Sequence, residues 1–287
     1  MSLSPQKILI SICSLCIIAL YCLYKVNHTT RYAVFAGYNH DGTIPQYVIH
    51  YLKALDEVSD GIIYITDSPL KKGEEKKLKN INIIHSQFAR HNEYDWGSYK
   101  RGYIWLRDNN YLKKTDELIF ANDSCFAPLT TFKDMFNQMK ENPNIDFWGN
   151  TQSTYKNPHL QSYFLVFRNR LINSTVFDEY FTQFVHQENH IDYIQKYEIP
   201  LTIAFKSKNY NWKSIIPGQT YPYDNMYLYP LTYLNEHNNQ FVKKKIYTDP
   251  AVSYLMKEDR FELLFQIQKI SSTMYKNILQ IITSKQG

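Results

Sequence analysis

The rhythm of short apolar runs constrains the fold of this chain more than any other feature. Tyr32-Ala-Val-Phe-Ala-Gly37, Gly61-Ile-Ile-Tyr-Ile-Thr66, Ile81-Asn-Ile-Ile-His85, Glu117-Leu-Ile-Phe-Ala121 and Ile145-Asp-Phe-Trp-Gly149 each have the length and content of a strand. Helical spacing runs from Ile44 to Val58, with Pro45 suited to a first turn, from Ser98 to Asn109, and from Thr130 to Glu141. The charged run Lys71 to Lys79 reads as a solvated helix or loop. Strands alternating with helices predict βαβ units in a mostly parallel sheet with flanking helices and right-handed crossovers. Ligands of such sheets bind beyond the carboxyl ends of the strands. Polar clusters stand there: Asn39-His-Asp41, Thr66-Asp67 and Asn122-Asp-Ser124. Their common placement predicts one shared pocket.

The ends of the chain differ from this pattern. Ile8 to Tyr24 carries no charge and is bracketed by Lys7 and Lys25. As a helix, about 17 residues span roughly 25 Å, enough for a thin bilayer. A cleaved signal peptide is the competing reading, but its apolar region is normally shorter, and no small-residue cleavage pattern follows Leu23. The expectation is a single-pass N-terminal transmembrane anchor with its orientation open, since positive charge is similar on both sides. Residues 1–30 are then anchor and connector, 31–250 the α/β domain, and 251–287 a helical extension packed on the domain or lying against the membrane.

Three of the four cysteines, Cys13, Cys16 and Cys22, lie in the apolar run and only Cys125 outside it. An intradomain disulfide and a cysteine zinc cluster are therefore excluded. The net charge of +5 is spread along the chain, enough to attract a diphosphate or an anionic membrane surface. It is not a nucleic-acid-binding face, and no nucleic-acid motif is present. The 25 tyrosines fit codon usage first and ligand contact second.

Four constellations can carry chemistry. In Phe120-Ala-Asn-Asp-Ser-Cys-Phe-Ala-Pro128 an apolar strand delivers Asp123 at its end, where one carboxylate and two phosphate oxygens can hold a hard divalent cation. Alone, the same residues are better explained by a turn capping the next helix. In Asn92-Glu-Tyr-Asp-Trp-Gly-Ser-Tyr-Lys-Arg-Gly102, Asp95, Gly97 and Ser98 permit a turn into a helix facing an anion or ribose, with Lys100 or Arg101 reaching phosphate; an ordinary cap is equally consistent. His159, Gln161, Ser162 and Tyr163 lead into an apolar strand and can bond acceptor hydroxyls, or simply start the strand. Glu198, among apolar neighbours, suits a general base, or a structural ion pair.

In this order the pieces resemble the rhamnan synthesis protein F family, and more distantly the GT-A family 2 glycosyltransferases. The matching residues are Tyr38-Asn-His-Asp-Gly42, Tyr94-Asp-Trp-Gly-Ser-Tyr-Lys100, Ala121-Asn-Asp-Ser124, Asp146-Phe-Trp-Gly-Asn-Thr151, His159-Leu-Gln-Ser-Tyr-Phe164 and Tyr197-Glu-Ile-Pro-Leu201. The resemblance implies a Rossmann-like GT-A domain that moves a sugar, rhamnose by the family's name, from a nucleotide-diphosphate donor to a glycan or lipid-linked glycan in cell-surface polysaccharide or lipopolysaccharide assembly. It implies Asn39, Asp67, Asp95, Gly97, Ser98, Lys100, Asn122 and Asp123 around the donor, with Mn²⁺ or Mg²⁺ on Asp123. His159, Gln161, Ser162 and Tyr163 then meet the acceptor and Glu198 takes its proton in an inverting transfer. Phe177-Asp-Glu-Tyr-Phe181 resembles the approach to the catalytic carboxylate, and Phe241-Val-Lys-Lys-Lys245 the family's basic C-terminal element. A bacterial inner membrane fits this better than a Golgi-type arrangement. The alternative is a catalytically inactive membrane-tethered module of the same fold, binding glycan or a partner enzyme.

Overall fold

Strand β1 (Arg31–Gly37) points Ala33 and Phe35 to one face and Val34 and Ala36 to the other, and all four are buried. A strand apolar on both sides needs cover on both. In the computed structural model, which describes residues 28–218 and 225–284, it has that cover. β1 lies between β2 (Gly61–Thr66) and β4 (Glu117–Asn122), parallel to both, and β2 pairs in parallel with β3 (Ile83–Phe88). Beyond the two-residue β5 (Cys125–Phe126) come β6 (Phe147–Ser153), β7 (His159–Leu160), β8 (Phe164–Arg168) and β9 (Trp212–Ile216). The sheet order is β3-β2-β1-β4-β8-β6-β7, with β9 parallel to β6. Strand β8 runs antiparallel to both β4 and β6, so the sheet is mixed but mostly parallel. A short β10 (Val242–Lys243) pairs with β5.

One face is covered by α1 (Gln46–Asp56), α3 (Lys133–Lys140), α6 (Arg260–Ile270) and α7 (Ser272–Ser284). Tyr51, Leu55, Phe136, Ile267 and Ile278 from these helices join Phe35 in one core. The other face is covered by α2 (Tyr94–Asp108), α4 (Thr175–Thr182) and α5 (Ile199–Lys206), whose Trp96, Tyr103, Phe181 and Phe205 join Val34. Gly102 lets α2 sit on the sheet: a Cβ there would lie 2.4 Å from Val34 Cγ1.

The structure moves several expected boundaries, among them the fifth strand, which is Phe147–Ser153 rather than Ile145–Gly149. The third strand is Ile83–Phe88 rather than Ile81–His85, because its register with β2 runs from Ile62↔Ile83 to Thr66↔Phe88. Helix α2 begins at Tyr94 rather than Ser98, drawn in by Trp96, stacked on Phe181 at 6.0 Å, and Tyr99, stacked on Phe120 at 4.7 Å. The expected membrane anchor over Ile8 to Tyr24 lies outside the described residues. Among the described residues no helix is long and apolar enough to cross a membrane.

Candidate functional site

The parallel strands end together at a cavity of about 360 Å³. Gly37 ends β1 and Tyr38 follows it, Asp67 follows β2, Arg90 follows β3, and Asn122 ends β4 with Asp123 and Ser124 next. Tyr94 and Asp95 enter from the start of α2, and His190 from the segment after α4. Three carboxylates, one guanidinium, one imidazole and two half-exposed tyrosine rings therefore share one concave space at the carboxyl edge of the sheet.

Asp67 is buried and builds the wall beside it. Its Oδ1 accepts from the amides of His91 at 2.6 Å and Asn92 at 2.8 Å, while Arg90 Nη1 donates to its carbonyl at 3.0 Å. Burial pushes the His91 imidazole down to about 4, with the Asp67 charge opposing, so the ring is neutral at pH 7. That neutral ring accepts from the Glu93 amide at 3.1 Å and bonds the Ser98 hydroxyl at 3.0 Å. The loop so held carries Asn92 and Tyr94 at φ of 59° and 53°. For an aromatic residue that conformation is strained, and such strain gathers at functional sites. It sets the Tyr94 ring 5.1 Å from that of His190, while the Arg90 guanidinium lies 5.2 Å from the Tyr38 ring.

Asp95 sits at the centre of a polar chain. Its Oδ2 accepts from Asn122 Nδ2 at 2.8 Å and lies 3.4 Å from Ser162 Oγ, whose single hydroxyl proton is shared between Asp95 and the nearer Glu198. Asn122 Oδ1 accepts in turn from the Ser124 amide and hydroxyl. Burial raises the Asp95 carboxyl above its ordinary value; nearby His190 opposes this and Glu198 adds to it. Asp123 Oδ2 accepts from the Tyr38 amide at 3.2 Å and stands 3.5 Å from Lys244 Nζ, which itself donates to Tyr47 Oη at 2.8 Å. Burial, then the Asp123 charge, push the Tyr47 phenol well above its ordinary range and keep it protonated.

At Asp123 an ammonium already faces the carboxylate, so a divalent cation held there with phosphate oxygens and waters would have to displace Lys244. Among the described residues no three His, Cys, Asp or Glu side chains converge as ligands.

The structure sorts the sequence-derived residues. Asp67, Asp95, Asn122 and Asp123 border the cavity, and Asn39 lies on its far side beyond Tyr38, bonded through Nδ2 to Thr43. Others are engaged elsewhere. Lys100 Nζ is over the Phe184 ring at 4.6 Å and donates to the Phe184 carbonyl, so it turns from the cavity. Gly97 is filled in by its neighbours, a Cβ there lying 2.3 Å from Glu93 Cβ, and Ser98 is buried on His91. Gln161 and Tyr163 are interior, both bonded to Thr151 Oγ1 at 2.6 Å, and buried His159 bonds the Asn157 carbonyl. Glu198 does not border the cavity: it lies behind Ser162, accepting from its amide at 2.9 Å and from its hydroxyl.

Two cavity residues escaped the sequence. Arg90 follows a strand whose end was placed at His85; carrying that strand to Phe88 puts Arg90 in the usual ligand-binding position. His190 stands in a polar stretch with no apolar period, and only packing brings it to Tyr94.

Fold and cavity thus define an α/β protein with a charged, aromatic-rimmed binding cleft at the carboxyl ends of its parallel strands. The chain belongs to the rhamnan synthesis protein F family, whose sequence profile matches residues 62–285. It is 24% identical over 159 residues to the uncharacterized protein y4gN of Sinorhizobium fredii, a match covering 54% of this chain and 40% of that protein. The matched region is thus less than half of that curated relative. Among solved structures it is similar to a 4-diphosphocytidyl-2C-methyl-D-erythritol synthase (8% identity, 65% of this chain and 89% of that one, TM-score 0.42). It is also similar to a glycosyltransferase involved in glycosylation of the major capsid of PBCV-1 (10% identity, 79% and 98%, TM-score 0.39).

Proposed function

We propose that the chain is a glycosyltransferase of GT-A-like architecture that moves a sugar, rhamnose by the family's name, from a nucleoside diphosphate to a glycan hydroxyl in cell-surface polysaccharide assembly, at a membrane if residues 8–24 form an anchor. The observation that carries this reading is the convergence of Asp67, Arg90, Asp95 and Asp123 with the Tyr38 and Tyr94 rings on one cavity at the strand ends. The rings offer flat faces to a base or sugar. Arg90 supplies positive charge to the diphosphate as it leaves, the part a metal ion plays elsewhere. The acceptor oxygen forms its bond to the anomeric carbon as the bond from that carbon to the diphosphate oxygen breaks. The acceptor's proton passes to His190, with Asp95 beside it to stabilise the imidazolium. Glu198 acts through Ser162 by holding Asp95 in place. With water kept out, the sugar goes to the acceptor alone.

The test is calorimetric titration of UDP, GDP and dTDP against the purified full-length chain, with and without EDTA, followed by a transfer assay. One diphosphate should bind, chelator should leave its affinity within about twofold, and His190→Ala should cut transfer by at least ~10²-fold. If none of the three binds, the donor reading fails. Binding without any transfer favours the inactive module instead, for which the Asp123–Lys244 pair is the motivating observation.

A further inference from the structure

A second cavity, of about 580 Å³, lies on the other side of Tyr38, whose ring borders both. Its walls are the turn after β1, the start of α1 and the last helix, α7. Its chemistry differs from that of the first. Apart from Asp41, His40 and Lys244, the polar groups it presents are neutral: Asn39, Thr43, Gln46, Asn277 and Gln280 stand around it. Lys244 is already engaged with Tyr47 and Asp123. Amides and hydroxyls arranged beside a tyrosine ring suit the alternating hydroxyls and apolar faces of a sugar chain, and offer little to a phosphate.

Asn277 gives the second, independent observation. It is 5% exposed, on the buried side of α7, borders this cavity, and its Nδ2 has no hydrogen-bond partner. A buried amide without a partner asks for an explanation, and a ligand hydroxyl met after a turn of the side chain toward the cavity is one. The acceptor also has no place among the residues first expected to hold it, since Gln161 and Tyr163 are spent on Thr151 in the interior.

We infer that this second cavity is the acceptor subsite, binding a neutral glycan through Asn277 and Gln280 and presenting its end past Tyr38 to the first cavity. The inference rests on the transfer reading for the word acceptor, but not for the binding of glycan. Replacing an unpartnered buried amide by an apolar group of the same shape is neutral or stabilising, so Asn277→Leu should fold. Gln280 is exposed, which makes Gln280→Ala a second variant with no folding risk.

The experiment measures binding of a rhamnose trisaccharide and of the nucleoside diphosphate to the full-length chain and both variants, by saturation-transfer NMR and calorimetry. The expected result is a loss of trisaccharide affinity of at least ~10-fold in Asn277→Leu and a smaller loss in Gln280→Ala, with nucleotide affinity within about twofold of wild type. The inference is overturned if wild type does not bind the trisaccharide, or if both variants bind it as wild type does. If nucleotide binding is absent while the trisaccharide behaves as expected, the donor reading falls and the glycan site stands.

Discussion

Glu117 and Asp146 at the amino end of the sheet and Asp95 at its carboxyl end are treated in opposite ways. At the amino edge of β4, buried Glu117 is clasped by Arg31 at 2.6 Å and Arg168 at 3.0 Å. Asp146, just ahead of β6, accepts two hydrogen bonds from Arg170 and one from the Asn211 amide. Burial pushes its carboxyl up, yet these partners hold it below the usual range. At the carboxyl edge, Asp95 has amide and hydroxyl partners but no guanidinium, and it is raised. Fully paired carboxylates knit a fold; an underpaired one facing a cavity has its charged form disfavoured, the condition of groups that do chemistry.

The largest effect should come from the paired end. Arg168 also donates to the carbonyls of Met139, Asn142 and Ile145, so Arg168→Met leaves Glu117 half-paired and three carbonyls without their donor. Urea unfolding should show a loss of about 3–5 kcal/mol; a loss under ~1 kcal/mol would mean the paired end is not structural. At the open end, Asp95→Asn should lower sugar transfer by ~10²-fold or more while unfolding moves by no more than about 1 kcal/mol. A variant that is unstable and still active would reverse the comparison.

The pH dependence of stability should carry opposite signs at the two ends. Asp95, raised in the fold, contributes stability present below its ordinary 3.8 and lost as pH rises through its folded value. Asp146, lowered, contributes stability present above 3.8 and lost as pH falls through its folded value. Urea midpoints from pH 3 to 7 should therefore lose part of their acid-side fall in Asp146→Asn and part of any alkaline-side fall in Asp95→Asn. Identical profiles for both variants would break the distinction.

The smallest effect concerns strain. Tyr94→Gly removes the positive-φ penalty of about 1–3 kcal/mol but also ring contacts and some unfolded-chain entropy, so stability should change by less than ~1 kcal/mol. Nucleotide affinity should nevertheless fall about tenfold, because the ring at the rim is gone. If affinity is unchanged, Tyr94 is not a ligand contact.

Local rules in the chain were enough to place the parallel strands β1, β2 and β4 and the polar residues that end them, since a strand buried on two faces reads as an unbroken apolar run; β3 was read two residues early and β9 not at all. Asp67, Asp95 and Asp123 were legible for the same reason: each follows or faces the end of such a run. The direction of side chains within the turns and loops was not legible. Whether Lys100 meets a phosphate or the Phe184 ring, and whether Glu198 faces the cleft or Ser162, depends on partners 36 to 84 residues away in sequence. His190 reaches the cleft through its packing on Tyr94 of α2, and Lys244 reaches Asp123, across 121 residues, through the pairing of β10 with β5. Periodicity encodes which face of an element is buried; which group meets which across that face is decided by packing between elements.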